Sequence, residues 1–193
     1  NTLGTVTGNE TENSHVNDKY GNPVVVPAGF KVVNPDDDVT KGIVIEDVSA
    51  PGKTSDTKGS QFVWIPVGDV ITDTNGSTTT ITLGRYTFGS DGTPTPVQTA
   101  ENWSQEVAIS TYYKELATSS YGNATARNLE KFISKVTKSG GYYIGRYEAG
   151  DALATTSGRG GTYAVSNPNN PVTCKSGVYP YSYVNQSDAS SLA

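Results

Sequence analysis

Hydrophobic residues in this chain come in short clusters separated by polar stretches, the pattern of strands and turns. Residues 1–20 are polar and patternless, which predicts an irregular arm or linker. From Gly21 onward strand signals begin. Val24–Val26 is a β-branched run between Pro23 and Pro27, and Phe30–Val33 follows before the turn at Asn34-Pro35-Asp36. Gly42–Val48 is a further strand candidate. Gln61–Val67 is the strongest apolar run and predicts a buried central strand that ends or bulges at Pro66. Asn75-Gly76 reads as a type I′ turn joining Val70-Ile71 to a strand over Thr79–Tyr86. Residues 88–105 and 150–170 are rich in small and turn-forming residues and read as long loops. One helix is predicted over 125–138. Leu129, Phe132, Ile133 and Val136 form a single apolar stripe, Thr125 can cap the N-terminus, and Gly140-Gly141 can end it. Tyr142–Tyr147 resumes strand, and a second helix begins near Asn185. The fold class expected is α+β: a small antiparallel sheet, one or two helices and long loops.

Composition narrows this picture. Only 34% of residues are hydrophobic and 17% are charged, both below the globular average, so one modest core must serve much loop. The net charge is −5, and no run of Lys or Arg occurs. Nucleic acid and anionic membrane surfaces both require clustered cations, so neither is expected as a partner. The single cysteine, Cys174, excludes a disulfide within the chain and a Cys-based metal site, and its plain reading is a small buried side chain. A chain that opens on Asn1 and contains no Met is expected to lack an upstream segment, where any signal or anchor would lie.

Three blocks carry a resemblance to a known family. They are Gly59-Ser60-Gln61-Phe62-Val63-Trp64-Ile65-Pro66-Val67, Gly140-Gly141-Tyr142-Tyr143-Ile144-Gly145-Arg146-Tyr147-Glu148, and Lys175 through Val184. In that order they resemble the opening half of the formylglycine-generating-enzyme, or sulfatase-modifying-factor, domain, which is related to the C-type lectin fold. Val26–Val33, Gly42–Asp47 and Ala117–Asn128 are similar to a branch on clostridial cell surfaces, whose members often carry a prepilin-like hydrophobic N-terminus. The resemblance spans residues 21–193 and implies that the domain continues past Ala193. The enzyme's paired cysteines would lie there, because Cys174 sits upstream of the helix that precedes them. The resemblance therefore implies no catalytic residue in this chain.

Gly52-Lys53-Thr54 resembles the end of a phosphate-binding loop, but the required glycine is replaced by Asp47. Asp36-Asp37-Asp38 offers oxygen ligands for a hard cation, yet Lys41 stands where a calcium loop needs glycine, and a turn that bonds its own backbone explains the run. Glu46-Asp47 and Glu148/Asp151 are carboxylate pairs that would need to face one bond to act as a hydrolase. Arg146 and Glu148 share a strand face and predict an ion pair. His15, the only histidine, sits in the polar arm remote from any motif, so a Ser-His-Asp or Cys-His device is not expected. Tyr179, Tyr181 and Tyr183 suit either sugar stacking or a half-buried strand. N-x-S/T triplets occur at Asn9, Asn75, Asn102, Asn123 and Asn185, and Asn75 in its hairpin is the best glycan acceptor.

No catalytic, cofactor-binding or metal residue is assigned. The function expected is that of a non-catalytic extracellular surface protein, a structural subunit of a pilus-like filament. Its partners would be copies of itself or other appendage subunits. A lectin-like adhesion module binding a glycan or protein is the alternative, and a formylglycine-generating-type oxidase would need cysteines beyond Ala193.

Overall fold

The computed structural model describes residues 1–48, 57–68, 70–75, 78–91, 93–97, 107–109, 129–151 and 172–182. The fold is α+β, with small antiparallel sheets and, among the described residues, one α-helix. The chain forms two compact units. The first comprises Asn1–Ile65 and Tyr143–Ala193, and the second is Pro66–Tyr142. In sequence the second unit lies between the two segments of the first.

The first unit is built on a four-stranded sheet. β3 (Phe30–Val32) pairs with β4 (Val44–Asp47), β4 with β5 (Gln61–Pro66), and β5 with β11 (Gly141–Gly145). β5 is an interior strand, as its apolar run predicts, and Pro66 is its last residue. The register sets Lys31 opposite Glu46 and Glu46 opposite Gln61. The Arg146 N–H donates to the Gln61 carbonyl at 2.9 Å, which extends the same line to the fourth strand. Because side chains alternate, Phe30, Val32, Ile45 and Trp64 fall on the opposite, buried face. Trp64 is 2% exposed and packs on the Tyr143 ring at 5.0 Å, while Phe30 meets Phe62 edge-on at 5.9 Å. The Tyr143 hydroxyl donates to the Val25 carbonyl at 3.1 Å and fastens a two-stranded ribbon to the sheet.

That ribbon corrects one expectation. Residues 1–20 are not a free arm. Leu3 sits in a 3-10 turn, Leu3–Thr5, and is 1% exposed. β1 (Ser14–Asn17) pairs with β2 (Pro23–Val26), and Val16 is buried beside Val24 and Val26. The physical reason is sparse burial: three widely spaced apolar residues, Leu3, Val6 and Val16, anchor a segment too polar to show periodicity. Thr7 also bridges Lys31 at the edge of β3, which caps part of the free sheet edge.

The turn between β1 and β2 is organised by a buried carboxylate. Asp18, 4% exposed, accepts through Oδ1 from the backbone N–H of Tyr20 (3.0 Å) and Asn22 (2.8 Å). Its Oδ2 accepts from Asn22 Nδ2 (2.8 Å) and from the Val39 N–H (3.2 Å). One side chain thus closes a local turn and ties it to a loop far along the sequence.

In the second unit, β6 (Val70–Asn75), β7 (Thr78–Leu83) and β10 (Val107–Ile109) form a sheet in the order β10-β7-β6. The hairpin is present, but Asn75 pairs with Thr78, so Asn75 is the last strand residue and not the first turn residue. The expected strand Thr79–Tyr86 is divided at Gly84. β8 (Arg85–Phe88) turns away to pair with β9 (Pro94–Val97), inside the segment expected as loop. Two prolines hid β9, yet a strand in a two-stranded ribbon has an unpaired edge that needs no N–H. Helix α1 (Leu129–Ser139) carries the predicted stripe, with Val136 buried and Lys131, Lys135 and Lys138 exposed. It stops where expected: Gly140 adopts φ +72° and donates its N–H to the Val136 carbonyl at 2.8 Å. The Thr125 cap and the C-terminal helix from Asn185 lie outside the described residues.

Replacing Asp18 by Ala removes the acceptor of three backbone donors, those of Tyr20 and Asn22 in the turn and that of Val39 in the remote loop. Asp18→Ala should therefore lower stability by about 3 kcal/mol in urea unfolding. A loss below about 0.5 kcal/mol, the size of an ordinary surface change, would show that the carboxylate does not organise the turn.

Candidate functional site

The first unit concentrates its polar chemistry in three places. The first is the Asp36-Asp37-Asp38 run. Asn34 Oδ1 accepts from the Asp36 N–H at 3.2 Å, and Asn34 Nδ2 donates to Asp37 Oδ1 at 2.9 Å. Asp38 points inward, is 1% exposed, and pairs with Lys19 Nζ at 3.1 Å while accepting from the Thr40 hydroxyl and N–H. Burial pushes the Asp38 carboxyl up, but the hydrogen bonds from Thr40 and Lys19 outweigh it and hold it below its usual range. Lys19 is raised in turn, chiefly by its bond to Asp38. The three carboxylates do not converge on one point, and the run is a self-bonded turn. No group of three metal-ligating side chains gathers among the described residues.

The second place is the outer face of the four-stranded sheet. Lys31, Glu46, Gln61 and Arg146 form a rung across all four strands. Lys31 Nζ lies 3.2 Å from Glu46 Oε1, Gln61 Nε2 donates to Glu46 Oε2 at 2.8 Å, and Arg146 Nη1 donates to Gln61 Oε1 at 2.7 Å. The Gln61 bond, then Lys31, holds the Glu46 carboxyl below its usual range. This corrects the Arg146–Glu148 expectation: the guanidinium reaches across the sheet to Gln61 and lies 5.7 Å from the Tyr147 ring. The carboxylate pairs also separate. Glu46 lies on the outer face and Asp47 is buried on the inner one. Glu148 is exposed, whereas Asp151 is 1% exposed. Glu46 and Asp47, on opposite faces of one strand, do not face one bond.

The third place is an open depression of about 590 Å³ near the N-terminal turn, lined by residues including Glu10, Glu12, Ser14 and His15. Glu10 accepts from the Thr7 N–H (2.9 Å), the Thr7 hydroxyl (2.9 Å) and the Gly8 N–H (2.8 Å). These bonds, the Thr7 backbone first, lower its carboxyl to about 2. His15 is exposed on β1 opposite Val25.

The remaining candidates resolve singly. Tyr179 is 47% exposed, Tyr181 is half-buried, and Tyr183 lies outside the described residues, as do Gly52-Lys53-Thr54, Asn102, Asn123 and Asn185. A bridge between Gly150 and Pro180 holds the tyrosine segment so close that a Cβ at Gly150 would meet the Tyr179 carbonyl at 2.5 Å. Asn9 is exposed; for Asn75 only the backbone is described. Cys174 is half-buried, and burial pushes its thiol up, away from the reactive thiolate. Sequence reasoning missed the four-residue rung, because its members lie in segments far apart and only the register unites them. No family model, curated protein or solved structure matches the chain.

Glu10 gives a direct pH test. Its folded-state carboxyl lies near 2 against an ordinary 4.5, so its support of the Thr7–Glu10 loop is full above about 4.5 and is lost as pH falls through about 2. Carboxyl-carbon NMR should place the Glu10 midpoint near 2. A midpoint at the ordinary value would mean that the loop bonds do not form in solution.

Proposed function

We propose that this chain is a non-catalytic extracellular surface protein, a structural subunit of a pilus-like appendage with a formylglycine-generating-enzyme-like, C-type-lectin-related fold. The observation that carries the reading is the use to which charged and polar side chains are put. Asp18, Asp38, Glu10 and Glu46 each spend their acceptors on backbone turns or strand-to-strand bonds. Such groups hold a shape and are not poised to react. The three sequence blocks and the Thr-, Asn- and Gly-rich composition support the same reading. Because residues 1–20 are folded in, that segment would meet neighbouring subunits as part of a formed surface.

A lectin-like role is the second reading, favoured by the exposed rings of Tyr147 and Tyr179. Electron microscopy of native material from the cell surface separates the two. Regular filaments are expected. Discrete particles that never associate would count against the subunit reading, and a specific glycan-array signal would then move the weight to binding.

A further inference from the structure

The N-terminal ribbon leaves part of one strand edge open. Asp18 donates its N–H to the Asn22 carbonyl at 3.0 Å. In an antiparallel pair, hydrogen-bonded and non-bonded positions alternate. Val16 and Ser14 therefore bond across to Val24 and Val26, while His15 and Asn17 turn their N–H and C=O groups away from β2. Asn17 shows where such groups point. Its N–H donates to the Asn1 carbonyl at 3.0 Å, and Thr2 bridges it in parallel. His15 holds the next such position along the same edge, and its backbone N–H and C=O have no partner among the described residues.

Open strand edges are normally guarded. The N-terminal segment guards two places in this unit: Thr2 covers Asn17, and Thr7 bridges Lys31. At His15 the edge instead opens into the depression lined by Asn1, Thr5 and residues 10–16. The segment that walls it is tied at both ends, by Glu10 to the Thr7 and Gly8 N–H groups and by Asn13 Oδ1, which accepts from the Ala28 N–H at 3.3 Å. The charge of the depression is one-sided. Glu10 and Glu12 line it, and no Lys or Arg does among the described residues. Glu10 spends its bonds on its own loop, whereas the Glu12 carboxylate is exposed and has no partner among the described residues.

We propose that the His15 edge of β1 docks an extended, lysine- or arginine-bearing segment of a partner protein, which adds to the ribbon as a third strand inside the depression. The outward N–H and C=O of one strand residue form a donor–acceptor pair that a second extended backbone satisfies at once, about 4.8 Å away. A cation carried beside that backbone meets Glu12, while an acidic segment meets two carboxylates and is repelled. The open length of edge is short, so an isolated peptide should bind with a Kd on the order of 1 mM. This docking does not depend on the appendage reading.

The test titrates the full chain with acetylated, amidated Thr-Lys-Val-Lys-Thr and follows backbone amides by NMR. The His15 N–H should shift, and at saturation its hydrogen exchange should slow by about fivefold or more. The same peptide N-methylated at its three central residues keeps its charge and loses those donors, and it should bind roughly fivefold more weakly. Thr-Glu-Val-Glu-Thr should leave His15 unmoved. Glu12→Gln should weaken binding of the lysine peptide about threefold, whereas Glu148→Gln, an exposed carboxylate that does not line the depression, should leave it unchanged. An unmoved His15 amide at about 10 mM lysine peptide would overturn the proposal. So would equal binding of the N-methylated or glutamate peptide. His15 shifts that follow the concentration of the chain itself, and not that of the peptide, would overturn it in favour of a second copy as occupant.

Discussion

The pairing of β5 with β11 is the constraint on which the first unit depends. β5 ends at Pro66 and β11 begins at Gly141, so residues 67–140 leave and return between two strands that share hydrogen bonds. Closing so long a loop costs little more than closing a moderate one, because the entropic penalty rises only logarithmically with length. Burial of Trp64 against Tyr143 and the backbone bonds of the ladder then offset that cost. The second unit is closed at its own ends in the same register, with the Val67 N–H donating to the Gly140 carbonyl at 2.9 Å.

The same register determines what each face can do. Once Gln61 is opposite Arg146, alternation sends Trp64 and Tyr143 inward and sets Gln61 and Arg146 outward. A slip of one residue would bury Gln61 and expose Trp64. The hydrogen-bonded rung of Lys31, Glu46, Gln61 and Arg146 is thus a consequence of the core, not a separate feature. Polar residues elsewhere in the first unit serve the same end. Asp18 and Asp38 tie turns to remote loops in a unit with few large apolar side chains to bury.

Much of the fold was legible in the sequence where a single local signal sufficed. The apolar run of β5, the stripe of α1 and the stop at Gly140 each follow from periodicity or one conformational preference. The hairpin was legible too, but its turn was displaced by one residue, since Asn75-Gly76 does not itself reveal which strand positions pair. The ordered N-terminus was not legible, because Leu3, Val6 and Val16 are too sparse to show a period. β9 was hidden by prolines that only an edge strand tolerates. The candidate site was least legible of all. Lys31, Glu46, Gln61 and Arg146 look ordinary in their own segments, and the adjacent letters Glu46-Asp47 suggested a pair that the strand sends to opposite faces. The family resemblance rests on the three sequence blocks.

Amide hydrogen exchange, resolved by residue, tests the β5–β11 register most directly. The N–H of Arg146, bonded to Gln61, and that of Val67, bonded to Gly140, should be protected together with that of Trp64, bonded to Ile43, well beyond the exposed residues around them. Exchange of Arg146 and Val67 at the rate of a free peptide, with Trp64 still protected, would contradict the pairing and with it the arrangement of both sheet faces.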